Sequence, residues 1–334
     1  MRLLLTLSLV LLCLSCTDET QYSKITGNTM GTTYSVILES EHVSPQDVYK
    51  DIEIELKQIN QLMSTYIPDS EINRFNALQD ASCFRFSSKT WEVLLAAQKV
   101  YQETDGAFDI TLGPLISRWG FNAEEYEQKV PSDSEVQALL SQVGTDKLEF
   151  DRVNQCISKK HPSITINLSA IAKGYGVDKI ADIVEQHKVE NYLVEIGGET
   201  KAKGVNPSGS VWRVAIEKPV SITQQKMLVV SLADTSIATS GDYRNYFEVD
   251  GRRFSHTISP KTGFPVTHSL TSVSVIHPEN MYADAYATAL TVMGSDKALS
   301  FAKAHKLPVF LIRHGESELE TLQSTYLEPF VQQH

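Results

Sequence analysis

Cysteine is scarce in this chain: 4 in 334 residues, two of them at positions 13 and 16. Beyond that pair, which falls at the end of the expected export signal, no cysteine or histidine spacing suggests zinc. Cys83 and Cys156 remain for the folded part. Whether they pair stays open, because separation along the chain carries no distance. Basic charge is also short, with 30 Lys and Arg against 41 Asp and Glu and a net charge of −11. That balance argues against nucleic acid, which needs basic surface to neutralise its phosphates, but permits one phosphorylated ligand in a local pocket. Internal repeats, low-complexity linkers and a full Walker or dinucleotide glycine pattern are all lacking.

Long apolar runs are lacking too. Leu3 to Leu12, behind Arg2, is too short to span a bilayer stably and reads as the core of an export signal over residues 1–15. Ser15 and Cys16 then look like the end of a bacterial lipoprotein signal, with Cys16 lipidated and residues 16–21 a tether. Cys13 departs from the Leu usual three positions earlier, and an ordinary cleaved signal is the competing reading. Either way residues 22–334 are expected to be exported. With the anchor they face the periplasm, expected at the inner membrane, although Thr17 does not by itself sort the two membranes.

What is present reads as one folded unit. "TYSVILE" has a strand pattern, and Ser44-Pro45 opens a helix whose apolar stripe is Val48, Ile52, Leu56, Ile59 and Met63. A second helix follows "SSKTWEVLLAAQKVYQET" and stops at Asp105-Gly106; "PSDSEVQALLSQVG" carries a capping box, Ser132 with Glu135. "SITINLS" alternates as a strand and feeds a helix from about Ala170 to His187. "NYLVEI", "VWRVAIEK" and "MLVVSLA" are strands, and "NYFEV" and "RRFSH" form a hairpin around Asp250-Gly251. "SLTSVSVI" and a closing "LPVFLIR" flank the helix "YADAYATALTVMG". Strands and helices mix without strict alternation, which gives an α+β fold: a mixed or antiparallel sheet with flanking helices.

That last helix poses the functional question. Asp284 and Thr288 stand one turn apart in an otherwise small and apolar helix. They suit a first-turn acid and a back-bonding threonine, or two oxygen ligands for a hard cation. Asp105 and Asp109 flank a Gly-Ala-Phe loop, where acids commonly form turns. "NLSAIAKGYG" crosses from strand to helix, and Lys173 there adds charge for an anion. His256 sits at a strand end before a Pro-Gly turn, where it can exchange a proton near neutral pH.

In order along the chain, "TMGTTY", "STY", "DGAFDITLGPL", "LSAIAKGYGVD", "IGGE", "WRVAIEKP", "ATSGDYRNY", "SHTISPKTG" and "ADAYATA" resemble the ApbE family of FAD:protein FMN transferases. The resemblance implies a T-fold-like architecture. It implies a Mg²⁺ site from Asp284, Thr288 and the carbonyl of Ala170. FAD contacts are implied at Met30, Tyr66, Ala107, Phe108, Asp109, Asn167, Lys173 and Ile258, with His256 as the proposed base. Asn167 and Ser259 stand where members commonly carry Asp, so the Asn167 position keeps hydrogen bonding without charge. The implied reaction moves FMN from FAD to a Thr or Ser hydroxyl of an exported protein and releases AMP. The implied acceptors are subunits of the Na⁺-translocating NADH:quinone reductase or the Rnf complex. A metal-dependent FAD pyrophosphatase and a non-catalytic FAD-binding lipoprotein are the rival readings.

Overall fold

The computed structural model describes residues 21–121, 130–219, 226–241, 246–249 and 252–331. The expected signal and Cys16 lie outside these residues, as does the turn Asp250-Gly251. Strands β1 (Tyr22–Thr29) and β2 (Thr32–Glu39) form a hairpin around Met30 and Gly31, both at positive φ. Helix α1 (Pro45–Met63) follows, and its stripe Val48, Ile52, Leu56, Ile59 and Met63 is buried as the 3–4 spacing requires. Ser44 takes the cap position without a side-chain cap bond; Pro45 and Asp47 in the first turn remain as start signals.

Next come α2 (Glu71–Asn76), β3 (Phe84–Arg85), α3 (Ser88–Glu103), α4 (Gly113–Arg118), α5 (Asp133–Leu140), β4 (Leu148–Asp151) and β5 (Cys156–Lys159). Asp105 and Gly106, both at positive φ, stop α3, and Ser132 and Glu135 form the expected capping box on α5. β5 lies between β3 and β4, and a Cys83–Cys156 disulfide with 5.4 Å between Cα atoms fastens the chain before β3 to it.

The expected strand "SITINLS" does not form. Ile164, Ile166 and Leu168 are buried in alternation with half-buried neighbours, but among the described residues no strand pairs with them. Asn76 supplies the missing partner: its Nδ2 donates to the Ile166 carbonyl and its Oδ1 accepts the Ile166 N–H. The helix that follows, α6 (Ala172–Gln186), starts two residues past Ala170.

β6 (Tyr192–Ile196) and β7 (Glu199–Lys203) turn tightly through Gly197 and Gly198, both at positive φ. β8 (Trp212–Glu217) and β9 (Lys226–Leu232) form a separate two-stranded sheet, and Val230 of β9 makes an isolated bridge to Val331. β10 (Thr235–Gly241) precedes the hairpin β11 (Tyr246–Val249) and β12 (Arg252–Ser255). β13 (Leu270–His277), α7 (Asn280–Met293), α8 (Ser295–His305), β14 (Val309–His314) and β15 (Leu319–Gln323) complete the order. Eight strands make the wholly antiparallel main sheet β1-β2-β6-β7-β10-β13-β14-β15. β15, not β14, forms its last edge. α1 and α6 pack on β1, β2 and β6, α7 packs on β10 and β13, and α8 on β14. The β8–β9 pair packs Trp212, Ile216, Val230 and Leu232 against Ala202, Ile237 and Phe310. Among the described residues no helix is long and apolar enough to cross a membrane.

Candidate functional site

Two helix starts meet where the site lies. A Cβ on Gly174 would fall 2.8 Å from the Cα of Met281, so only glycine lets α6 rest on the first turn of α7. The Gly174 N–H donates to Oδ2 of Asp284 at 3.0 Å. One turn along α6, Asp178 accepts from the N–H groups of Asn280 and Met281 at 3.0 and 2.9 Å, and pairs with Lys201 at 2.7 Å. This carboxylate caps α7 from another helix, because the residue at its own cap position, Glu279, makes no side-chain cap bond. Asp284 is thereby fixed and 3% exposed; Thr288, one turn on, has its Oγ1 3.2 Å from Oγ of Ser240 on β10.

These residues line a cavity of about 770 Å³. Ala107, Phe108, Asp109, Asn167, Ala170, Lys173, His256, Ile258, Asp284 and Thr288, all expected site residues, lie on its wall. Met30 and Tyr66 do not. Met30 occupies the tight β1–β2 turn and directs its thioether toward Gly176 of α6, between two parts of the core. Tyr66 sits in the turn after α1, where Ser64 holds its N–H, and the residue is 69% exposed.

The charged centre is more crowded than a free lysine awaiting phosphate. Lys173 is ion-paired with Glu199, whose other oxygen, Oε2, is buried without a hydrogen-bond partner. Burial pushes the Asp284 carboxyl up, against the pull of Lys173 and the Gly174 N–H. Burial likewise pushes Glu199 up to about 7, opposed by Lys173 and reinforced by Asp284. Burial alone would lower the Lys173 ammonium, but Asp284 and Glu199 outweigh it and raise it. With both carboxylates ionised the trio carries one negative charge in excess.

A carboxylate, a hydroxyl, neighbouring backbone and an orphaned carboxylate oxygen form an all-oxygen donor set, and these residues fit a hard divalent cation. Among the described residues the one triplet of His, Cys, Asp or Glu at metal-ligand distance is Cys83, Asp151 and Cys156, and its thiols are consumed by the disulfide.

Other residues on the wall hold shape. The Asp109 carboxylate accepts from the N–H and hydroxyl of Thr111 at 2.8 and 2.6 Å and from the hydroxyl and N–H of Thr145 at 2.9 and 3.2 Å. It organises its loop, as loop acids do, despite the burial that raises its pKa. Asn167 accepts the Ser169 N–H at 2.9 Å and donates its own backbone N–H to Ile110. The loop at Ser259 closes without an acid, through Ser259 N–H to Phe264 carbonyl at 2.9 Å and Gly263 N–H to Ser259 carbonyl at 2.8 Å. Ile258 anchors it, buried among Leu115, Trp119 and Val136. His256, at the end of β12, meets Phe121 edge-on at 6.3 Å.

Sequence reasoning missed Glu199, although "IGGE" was visible: the glycine pair signals a two-residue turn, but not that the next carboxylate reaches Lys173. It also gave no role to Ser240 in "ATSG" or to the cavity-lining Val214, Ala215, Ile216 and Glu217.

The ApbE family model matches residues 30–311. The FAD:protein FMN transferase of Haemophilus influenzae is 40% identical over 318 residues, covering 93% of this chain and 92% of its own length. The solved flavin transferase ApbE of Vibrio cholerae is 38% identical, with a TM-score of 0.86 over 93% of this chain and all of its own. Pseudomonas stutzeri flavinyl transferase ApbE, in its apo form, is 36% identical with a TM-score of 0.85 over 93% of this chain and 97% of its own. The chain, with this fold and this cavity, belongs to the ApbE family.

Proposed function

We propose that the chain transfers the FMN moiety of FAD to a Thr or Ser hydroxyl of an exported target protein, making a phosphoester bond and releasing AMP. The observation that carries this reading is the cavity where Asp284, Thr288 and the Lys173–Glu199 pair meet His256 at a strand end. The name FAD:protein FMN transferase borne by the relatives supports it over FAD hydrolysis or simple storage. Asp284, Thr288 and the backbone of Ala170 would hold Mg²⁺, which when bound neutralises diphosphate charge. Ala107, Phe108, Asn167 and Ile258 shape the wall for the dinucleotide, and Lys173 adds positive charge at its phosphates. The acceptor oxygen bonds to the FMN phosphorus, the bond from that phosphorus to the bridging oxygen breaks, AMP leaves, and His256 takes the hydroxyl proton.

The acceptors in this reading are exported domains of membrane redox complexes of the NADH:quinone reductase or Rnf type. A lipid anchor at Cys16 holds the enzyme beside them on the periplasmic face. The test is incubation with FAD, Mg²⁺ and such a domain. Flavin fluorescence on the denatured acceptor is expected. Free FMN and AMP without labelling would instead mean a hydrolase, and unchanged FAD a binder. Asp284→Ala is expected to abolish cation-dependent labelling, and full activity in that variant would overturn the metal site. His256→Asn with undiminished transfer would remove the histidine from the proton step.

A further inference from the structure

β8 meets the cavity by its edge. Val214, Ala215, Ile216 and Glu217 are successive residues, and all four line the cavity. Successive side chains of a strand point to opposite faces. Val214 and Ile216 belong to the core packed against the main sheet, with Ile216 only 3% exposed. A cavity reached by both sets of residues touches the strand between its faces, along the main chain. β9 occupies the other edge of β8, and among the described residues no strand pairs with the cavity-side edge. The isolated Val205–Val211 bridge lies before β8 begins. Such an edge presents alternate N–H and C=O groups as a template for another strand. Gly197, Gly198 and Gly241, also on the wall, leave room for a second backbone.

We propose that this edge docks the acceptor: an extended segment of the target polypeptide adds to β8 along Val214, Ala215 and Ile216 and carries its receiving hydroxyl into the cavity. The inference rests on the transfer reading, which requires a polypeptide hydroxyl at this cavity. Main-chain pairing supplies affinity that does not depend on the acceptor's sequence, and every second side chain of the segment supplies selectivity.

The experiment is amide hydrogen exchange on the full chain with FAD and Mg²⁺. It uses the acceptor domain that the transfer assay labels, with its receiving Thr or Ser replaced by Val, at concentrations that saturate transfer of the unaltered domain. Alternate amides of residues 213–216 are expected to exchange about fivefold more slowly or better on adding acceptor, the worth of one net backbone hydrogen bond, and not on adding FAD alone. Unchanged exchange there, with the unaltered domain fully labelled, overturns strand docking and leaves transfer standing. Failure to label any domain overturns both. Protection that appears without acceptor and grows with enzyme concentration means edge pairing between two copies and also overturns it. Val214→Pro and Ala215→Pro give a second reading. One of the two neighbours removes an outward N–H and is expected to raise the acceptor KM about fivefold or more, while the other breaks the ladder to β9 and lowers Tm. Equal acceptor KM in both folded variants counts against the proposal.

Discussion

Lys173 serves two masters, the buried Glu199 beside it and whatever anion enters the cavity. Removing its charge leaves Glu199, 2% exposed, without a counter-ion. Lys173→Met is expected to cost about 3 kcal/mol, measured by denaturant unfolding without divalent cation. Adding Mg²⁺ should return part of that loss, since a cation would take over the role of counter-charge. Gly174→Ala acts on the same spot by shape: its Cβ meets backbone of Asn280 and Met281, which no rotamer can move. Overpacking of about 1–3 kcal/mol is expected, with weaker cation binding by calorimetry. At this scale legibility followed distance along the chain. Asp284 and Thr288 could be paired because the helix sets their spacing. Glu199 lies 26 residues from Lys173, across most of α6, a strand and a turn, and no local rule joins them. Asp109 showed its residue type but not its four hydrogen bonds, which come from Thr111 and from Thr145, 36 residues away.

The first turn of α7 is held by groups outside it. Asp178→Ala would free two N–H groups at its start and is expected to cost about 1 kcal/mol, with reduced affinity for Mg²⁺ as Asp284 loses its fixed base. His277 ends β13 just before this helix, and its Nδ1 accepts the Glu279 N–H at 3.0 Å. Burial holds its imidazole below the ordinary range, against the pull of the Glu279 backbone. Below about pH 6.5 the unfolded chain therefore takes up a proton that folded His277 resists, and stability falls as pH drops. Thermal melts from pH 8 to 5 should show wild type losing more than His277→Gln; parallel curves would exclude the histidine as the cause. Elements with their own periodicity, such as α1, were readable in advance. The segment 164–168 was not, since alternation fixes which side chains are buried but a strand also needs a partner, and here Asn76 took that place. β7 and β10, "ETKAK" and "TSIATSG", carry too little apolar pattern to announce themselves, yet the centre of the sheet needs both.

Across the molecule the Cys83–Cys156 bond closes a span of 73 residues that includes α3, the Asp109 loop and the capped α5. Reduction, or Cys83→Ser with Cys156→Ser, is expected to lower stability by about 2–4 kcal/mol, read as a lower Tm that reoxidation restores only in the wild type. The α+β plan was legible from the mixture of elements, with the sheet left as mixed or antiparallel; the structure makes it wholly antiparallel. The order of strands was not, because β6 and β7 must slot between β2 and β10, and neighbours in a sheet leave no mark on either strand alone. The cavity wall runs from Thr32 to Val292, with α7 supplying Asp284 and Thr288 near its far end. Synthesis delivers those two oxygens after nearly all the other lining residues have emerged. A nascent chain halted before residue 284 therefore lacks the carboxylate and hydroxyl that the proposed metal-dependent reaction requires, and under that proposal only the nearly finished polypeptide could carry it out.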